Sequence, residues 1–358
     1  MADTMPAQYY IGLMSGTSLD GVDGVIVDYQ CQKVLAQTYQ PYSEQIKQDL
    51  RQLTQSGETS LAGLADIDTQ VANAFSNAAL VLLSESGISA NQIVAIGSHG
   101  QTIYHQGGYY SMQIAHGALI AEQTGIKTVA DFRMQDVAAG GQGAPLTPMY
   151  HHFLLNNTRG VVINLGGIAN ITQVTDSSIV GFDIGPANTL LDNWIKCHKP
   201  LDYDQNGLWS KSGLIDQALL DKLLADGYFQ QLPPKSTGPE YFNLKWLSRF
   251  LTGNEAPEDV QRTLVELTAI TISRHITDNT KVYLCGGGVH NAFLIERLTC
   301  LNADSNIMTT NELGIHVDYV EAAAFAYFAK RTLAQQPSNL TSVTNAKRSR
   351  ILGAIYAN

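Results

Sequence analysis

Three short strands open each half of this chain, and that repetition is the strongest constraint on its fold. Tyr9–Met14, Gly21–Tyr29 and Lys33–Gln40 carry β-branched and alternating residues around a Ser/Gly/Thr turn, a pattern that predicts three consecutive antiparallel strands. Helical patterns at about Ser43–Thr54 and Leu61–Ser86, a strand at Ile93–Ser98, a helix from about His116 and a strand at Lys127–Ala130 complete the order βββαβαβ. From Arg159 the pattern restarts with strands at Gly160–Leu165, Ile168–Val174 and Ile179–Phe182. Helices near Pro186–Cys197, Gly213–Asp226 and Val260–Ile276 follow, then a buried strand Lys281–Leu284 and a helix starting near Asn291. The repeat is one of topology, not of residues, and it predicts two similar α/β halves.

A chain of 358 residues, 44% of them hydrophobic, is long enough for two cores. The expected domains are 1–140, joined by the C-terminal segment 340–358, and 141–339. Ala139–Pro148, rich in Gly and Pro, and the approach to a helix at Glu321–Leu333 are the expected hinges. Gln230–Glu240, with Pro233, Pro234 and Pro239, reads as a long loop, and Gln335–Thr344 as a polar connection.

The formal net charge is −10, and the one basic cluster is Lys347-Arg348-Ser349-Arg350, so a nucleic-acid partner is not expected. No apolar run reaches the roughly 18 residues that a membrane span needs, and the N-terminus, with Asp3 and Pro6 ahead of the first basic residue Lys33, has no export pattern. Cys31, Cys197, Cys285 and Cys300 lack CxxC spacing and suit free thiols in a reducing cytoplasm.

Glycine-rich turns carry the chemistry. In Gly12-Leu13-Met14-Ser15-Gly16-Thr17-Ser18-Leu19-Asp20-Gly21-Val22-Asp23 the glycines let successive amides face phosphate oxygens, Ser15, Thr17 and Ser18 add hydroxyls, and Asp20 and Asp23 are hard ligands for magnesium. An ordinary polar hairpin turn has a similar composition. A second glycine hairpin, Asn164-Leu165-Gly166-Gly167-Ile168-Ala169-Asn170, precedes Gly181-Phe182-Asp183-Ile184-Gly185-Pro186-Ala187-Asn188. There a strand ends, an acid appears and a helix is predicted to begin with proline in its first turn. Asp183 is placed either as a general base or as a helix cap. Gly286-Gly287-Gly288, between strand and helix, would let a flat nucleoside lie on bare backbone. Neither GxxxxGK[ST] nor GxGxxG followed by a ribose-binding acid occurs.

Two polar segments after apolar strands read as a substrate wall: Gly97–His105, with His99, Gln101 and His105, and Val129–Pro145, with Arg133. The six-residue offset of His99 and His105 is not that of a helical metal pair, and hydrogen bonding is the expected role. Arg133 suits a carboxylate ligand or a salt bridge to Asp131 or Asp136, and Glu321 suits a substrate contact or a helix-start acid.

Together GLMSGTSLDGVD, GSHGQTIYH, ADFRMQDVAAGGQGAPL, NLGGIANIT, GFDIGPAN and CGGGVHN resemble the anhydro-N-acetylmuramic acid kinase family in content and order, from Tyr10 to about Gly353. The resemblance implies an α/β fold of two actin-like (ribonuclease H-like) domains with an ATP cleft between them, and ATP with Mg2+ as cofactors. It implies a small-molecule substrate, 1,6-anhydro-N-acetylmuramic acid, whose ring is opened by water while its 6-oxygen is phosphorylated. It places the family's base at Asp183 and its phosphate-binding run at Gly16–Asp23, with Gly166, Gly167, Gly286, Gly287 and Gly288 as further nucleotide contacts. His99, Gln101, Arg133, Asn188 and Glu321 become the expected substrate-binding residues. A homodimer is left open. A simple sugar kinase of the same fold and a nucleotide-driven binding protein are the rival readings.

Overall fold

The computed structural model describes residues 9–156 and 158–357, so the expectation drawn from Asp3 and Pro6 and the outermost ends of the expected domains lie outside the described residues. The chain divides into two compact units. One comprises the chain as far as Tyr150 together with everything from Tyr319 onward, and the other is His151–Asp318.

Unit 1 opens with an antiparallel meander of β1 (Tyr9–Ser15), β2 (Gly21–Asp28) and β3 (Lys33–Pro41). Then come α1 (Glu44–Ser56), α2 (Leu61–Ser86), β4 (Ile93–Gln106), β5 (Tyr110–Ile114), α3 (Gly117–Thr124), β6 (Thr128–Ala130) and α4 (Phe132–Ala138), and the boundary after Tyr150 falls inside α5 (Pro148–Leu154). β4 runs parallel to β1, and β6 parallel to β4. The strand expected at Ile93–Ser98 is longer because its second half pairs with β5, a hairpin partner that the sequence pattern does not announce. Leu13, Val22, Ile26, Phe75, Ala79 and Leu82 belong to one buried cluster that joins the meander to α2. Ser60 starts α2 by accepting from the Gly63 amide.

Unit 2 repeats the plan. β7 (Gly160–Leu165), β8 (Ile168–Val174) and β9 (Ile179–Pro186) form the meander, followed by α6 (Asn188–His198), α7 (Leu208–Ser212), α8 (Gln217–Leu224), α9 (Leu244–Ser248) and α10 (Pro257–Ser273). β10 (Lys281–Cys285) adds parallel to β7 and, after α11 (Ala292–Leu301), β11 (Asn306–Thr309) adds parallel to β10. Its core combines Ile163, Ile171 and Phe182, cross-strand partners on one face of the sheet, with Leu190, Leu220, Trp246, Leu264 and Leu294 from the helices.

Two expectations are corrected here. Pro186 is not the first residue of a helix: β9 runs through Asp183 to Pro186, which pairs with Ile168, and α6 starts at Asn188. β9 is an edge strand, so the missing proline N–H costs no ladder bond. Nor does a helix span Gly213–Asp226; Gly213 lies between α7 and α8, where a Cβ would be 2.1 Å from the Glu258 carbonyl oxygen.

After unit 2 the chain re-enters unit 1 as α12 (Val320–Leu333), α13 (Thr341–Thr344) and β12 (Ala354–Tyr356), the last antiparallel to β6. The division therefore falls at 150 and 318, not at the expected 140 and 339. The reason is packing. α12 lies on the sheet so closely that a Cβ on Gly12 would sit 1.9 Å from the Ala322 carbonyl oxygen, and one on Gly97 2.0 Å from that of Phe325. Only glycine on the strands admits the helix backbone at this distance.

The sheets read β3-β2-β1-β4-β6 and β9-β8-β7-β10-β11 from the meander edge, the same order with the same strand directions, which is the ribonuclease H-like topology. No described helix is long and apolar enough to cross a membrane.

Candidate active-site elements

In unit 1 the β1–β2 turn exposes Thr17 and Ser18 and half-buries Gly16. Among the described residues, and its chain neighbours aside, no heavy atom approaches a Cβ built on Gly16 more closely than 3.8 Å, so that side of its backbone is uncrowded. Leu19 adopts φ 57 while its side chain is buried in the unit 1 core, a left-handed conformation that costs a leucine roughly 1–2 kcal/mol. Strain of that kind persists where surrounding structure enforces it, and it concentrates at functional sites. Ser18 Oγ donates to Asp20 Oδ1 at 2.7 Å. Tyr39 is pushed up to about 12 by burial and by the carboxylates of Asp20 and Asp23, so both acids act on one ring. The rest of the predicted run is structural: a Cβ on Gly21 would strike the Gln40 carbonyl oxygen at 2.5 Å, and Val22 is fully buried.

Gln101 supports that turn. Its Nε2 donates to the Gly16 carbonyl at 3.1 Å, and its Oε1 lies 2.7 Å from Ser15 Oγ, which is also 2.6 Å from the Gly21 carbonyl. The side chain predicted to read substrate is thus engaged on both ends by the turn. His99 is equally occupied. Arg133 Nε can only donate, so the 2.8 Å contact makes His99 Nε2 the acceptor and leaves Nδ1–H to donate to the Gly100 carbonyl at 2.9 Å. Burial first, and Arg133 second, hold this imidazole well below its usual range, so it is neutral.

Arg133 lies on α4 and spends Nε on His99 and Nη1 on the Gly143 carbonyl at 3.0 Å. Among the described residues nothing accepts from Nη2, so the outer edge of the guanidinium is available to an anion. The salt bridge considered for it is not made. Asp131 accepts from the Tyr356 hydroxyl, and Asp136 accepts from Asn339, Thr344 and the Gly143 amide. Glu321 stands in the first turn of α12; burial raises its pKa and the charge of Arg133 opposes the rise.

In unit 2 Asp183 is held on every side but one. Its amide donates to the Lys235 carbonyl at 3.1 Å and its carbonyl accepts from the Tyr228 hydroxyl at 2.7 Å. Its Oδ2 accepts from Ser236 Oγ at 2.8 Å and from the Thr237 amide at 3.1 Å. Among the described residues none donates to Oδ1. Burial raises the Asp183 pKa, and the Thr237 and Ser236 hydrogen bonds pull against it. Asp183 caps no helix. Sequence reasoning missed Tyr228, Ser236 and Thr237, because the segment that carries the latter two has no periodicity; its one signal is the Lys-Ser-Thr-Gly run after two prolines.

The turn Gly166–Gly167 meets the start of α6. The Asn188 amide donates to the Gly166 carbonyl and the Thr189 amide to that of Gly167, both at 3.0 Å, and Asn188 Nδ2 donates to the Leu165 carbonyl at 3.0 Å. Asn188 therefore fastens α6 to the hairpin. Of the three glycines after β10, Gly286 has φ 82 and would place a Cβ 2.1 Å from Asn164 Oδ1, and Gly288 would strike Leu165. Gly287 alone of the three is exposed, with nothing within 4 Å of its Cβ position among the described residues.

Two ribonuclease H-like units, each with a glycine-bearing turn after its first strand, and an anchored aspartate on the third strand of the second, define an actin-like α/β protein. The family model described as anhydro-N-acetylmuramic acid kinase matches residues 8–358, and the chain belongs to that family. It is 46% identical to the anhydro-N-acetylmuramic acid kinase of Coxiella burnetii strain Dugway 5J108-111, covering 98% of both chains. It is 45% identical to that of Mannheimia succiniciproducens, covering 98% of this chain and 100% of the relative. The kinase of Nitrosomonas europaea is 46% identical, with 97% of this chain and 99% of the relative covered.

Proposed function

We propose that the protein is a kinase that opens 1,6-anhydro-N-acetylmuramic acid with water and phosphorylates its 6-oxygen at the expense of ATP, giving N-acetylmuramic acid 6-phosphate and ADP, in peptidoglycan recycling. The observation that carries this reading is the Asp183 carboxylate, fixed through Oδ2 and open at Oδ1, in a chain 46% identical to a relative of that name. Oδ1 takes a proton from the water that attacks C1; the C1–O6 bond breaks; O6 takes the γ-phosphoryl group. An inverting hydrolase needs a second carboxylic acid to protonate its leaving oxygen, and phosphoryl capture of O6 removes that need.

The β1–β2 turn supplies amides and the Thr17 and Ser18 hydroxyls to the nucleotide phosphates, and Gly287 offers bare backbone to the nucleoside. Asp20 and Asp23 are the residues that would hold Mg2+, which neutralises charge on the transferring phosphoryl group when bound. They suit that ion: both carboxylates lie near enough to Tyr39 to raise its pKa, and magnesium is commonly held by one or two carboxylates plus phosphates and water. The uncommitted edge of Arg133 suits the substrate's lactyl carboxylate. Exposed free thiols at Cys31, Cys197 and Cys300 are in keeping with a cytoplasmic location.

Incubation with ATP, Mg2+ and the anhydrosugar in oxygen-18 water is expected to give a phosphorylated sugar carrying one solvent oxygen by mass spectrometry. A phosphorylated sugar with its anhydro ring intact would replace the proposal with a simple kinase. Gln101→Leu removes both hydrogen bonds to the β1–β2 turn, and loss of buried partners at about 1–3 kcal/mol is expected to raise the KM for ATP about 10-fold or more. Initial rates against ATP concentration measure it.

A further inference from the structure

Within the segment Gln231–Tyr241, Lys235 meets the outer backbone edge of β9, the side that no strand covers among the described residues. The segment supplies the Lys235 carbonyl to the Asp183 amide and, from the next two residues, the Ser236 hydroxyl and the Thr237 amide to Asp183 Oδ2. Its register is fixed from the neighbouring side chain. Lys235 is only 8% exposed, and its ammonium lies 4.7 Å from the Tyr228 ring centroid, 6.0 Å from that of Phe182 and 3.4 Å from the Tyr228 carbonyl. Among the described residues no carboxylate forms a salt bridge with it, so aromatic faces hold this cation. Tyr228 closes the circuit by donating its hydroxyl to the Asp183 carbonyl. A buried lysine thus anchors the segment on one side of β9, and the next two residues immobilise a carboxylate on the other.

We propose that Gln231–Tyr241 is a strap that positions the catalytic base, with Ser236 as the positioning residue that fixes Asp183 Oδ2 and so confines proton abstraction to Oδ1. The inference rests on the reading of Asp183 as the base. Two donors on one oxygen stop rotation of the carboxylate and favour its ionised form, opposing the burial that would protonate it. Without them the group would turn between rotamers and ionise at higher pH.

The test is the pH dependence of kcat for the full-length protein with ATP, Mg2+ and 1,6-anhydro-N-acetylmuramic acid, in Ser236→Ala, Ser236→Thr and Asp183→Asn. A donor to an ionised carboxylate lowers its pKa, so deleting it moves the acid limb of the Ser236→Ala profile to higher pH. The plateau rate is expected to fall about 10-fold from misalignment, with the KM for ATP unchanged. Ser236→Thr, which keeps the hydroxyl, returns the limb and most of the rate. Ser236 is exposed, so its alanine variant is expected to melt with the wild type. A rate loss with the acid limb unmoved, or an unaltered profile, overturns the strap while leaving Asp183 as the base. Turnover retained by Asp183→Asn instead removes the reading beneath it.

Discussion

Asp183→Asn is expected to lower kcat by roughly three orders of magnitude or more, because an amide cannot accept the proton that general-base catalysis transfers. ATP affinity, measured by calorimetry without the sugar, should stay within about twofold of wild type, since the β1–β2 turn is untouched. Near-normal turnover would remove Asp183 from the mechanism. The same substitution should raise stability. Burial lifts the folded-state pKa of Asp183, so the folded protein holds this proton more tightly than the unfolded chain does. Ionisation therefore costs stability as pH rises through the folded pKa, and the cost persists above it. The asparagine variant should melt above wild type at pH 7–8, the difference shrinking as pH falls to the carboxylate range near 4. Equal melting points across that range would show that burial of this charge is fully compensated.

Gly12→Ala is expected to be the most damaging single methyl group in the chain. The new Cβ would stand 1.9 Å from the Ala322 carbonyl oxygen and 2.8 Å from the Ala326 amide nitrogen, and both obstacles are backbone. α12 must move bodily off β1, at a cost of about 3 kcal/mol or more. On β4, Gly97→Ala makes the matching clash with the Phe325 carbonyl of α12. Thermal melts should show a drop of about 10 °C, or failure to accumulate as folded protein. Gly16→Ala is the contrast. Its Cβ meets nothing closer than 3.8 Å, so the melting point should hold while nucleotide affinity falls. A normal melting point for Gly12→Ala would mean that α12 is not seated as described.

Both meanders were legible because short hairpins and period-two patterns are local. β7 and β8 end where the pattern ends, at Leu165 and Val174. β9 deceived because proline is at home both at the start of a helix and on an edge strand, and only the pairing of Pro186 with Ile168 decides between them. α4 was hidden behind Asp131, whose left-handed φ of 61 no residue pattern announces. The polar wall after β4 was found, but not its division of labour. His99 and Gln101 turn out to hold Arg133 and the β1–β2 turn, because the sequence shows which side chains are polar and not which hydrogen bonds they have already spent. Ser236 lies 53 residues from Asp183, a separation at which proximity leaves no local trace.

The return of α12 also sets an order of manufacture. One face of the unit 1 sheet awaits its helix until residues 320–333 have emerged from the ribosome, by which time every residue of His151–Asp318 has been made. The usual sequence, in which the first domain translated is the first finished, is therefore reversed. Unit 2 has all its residues in hand while unit 1 still presents a bare strip around Gly12 and Gly97.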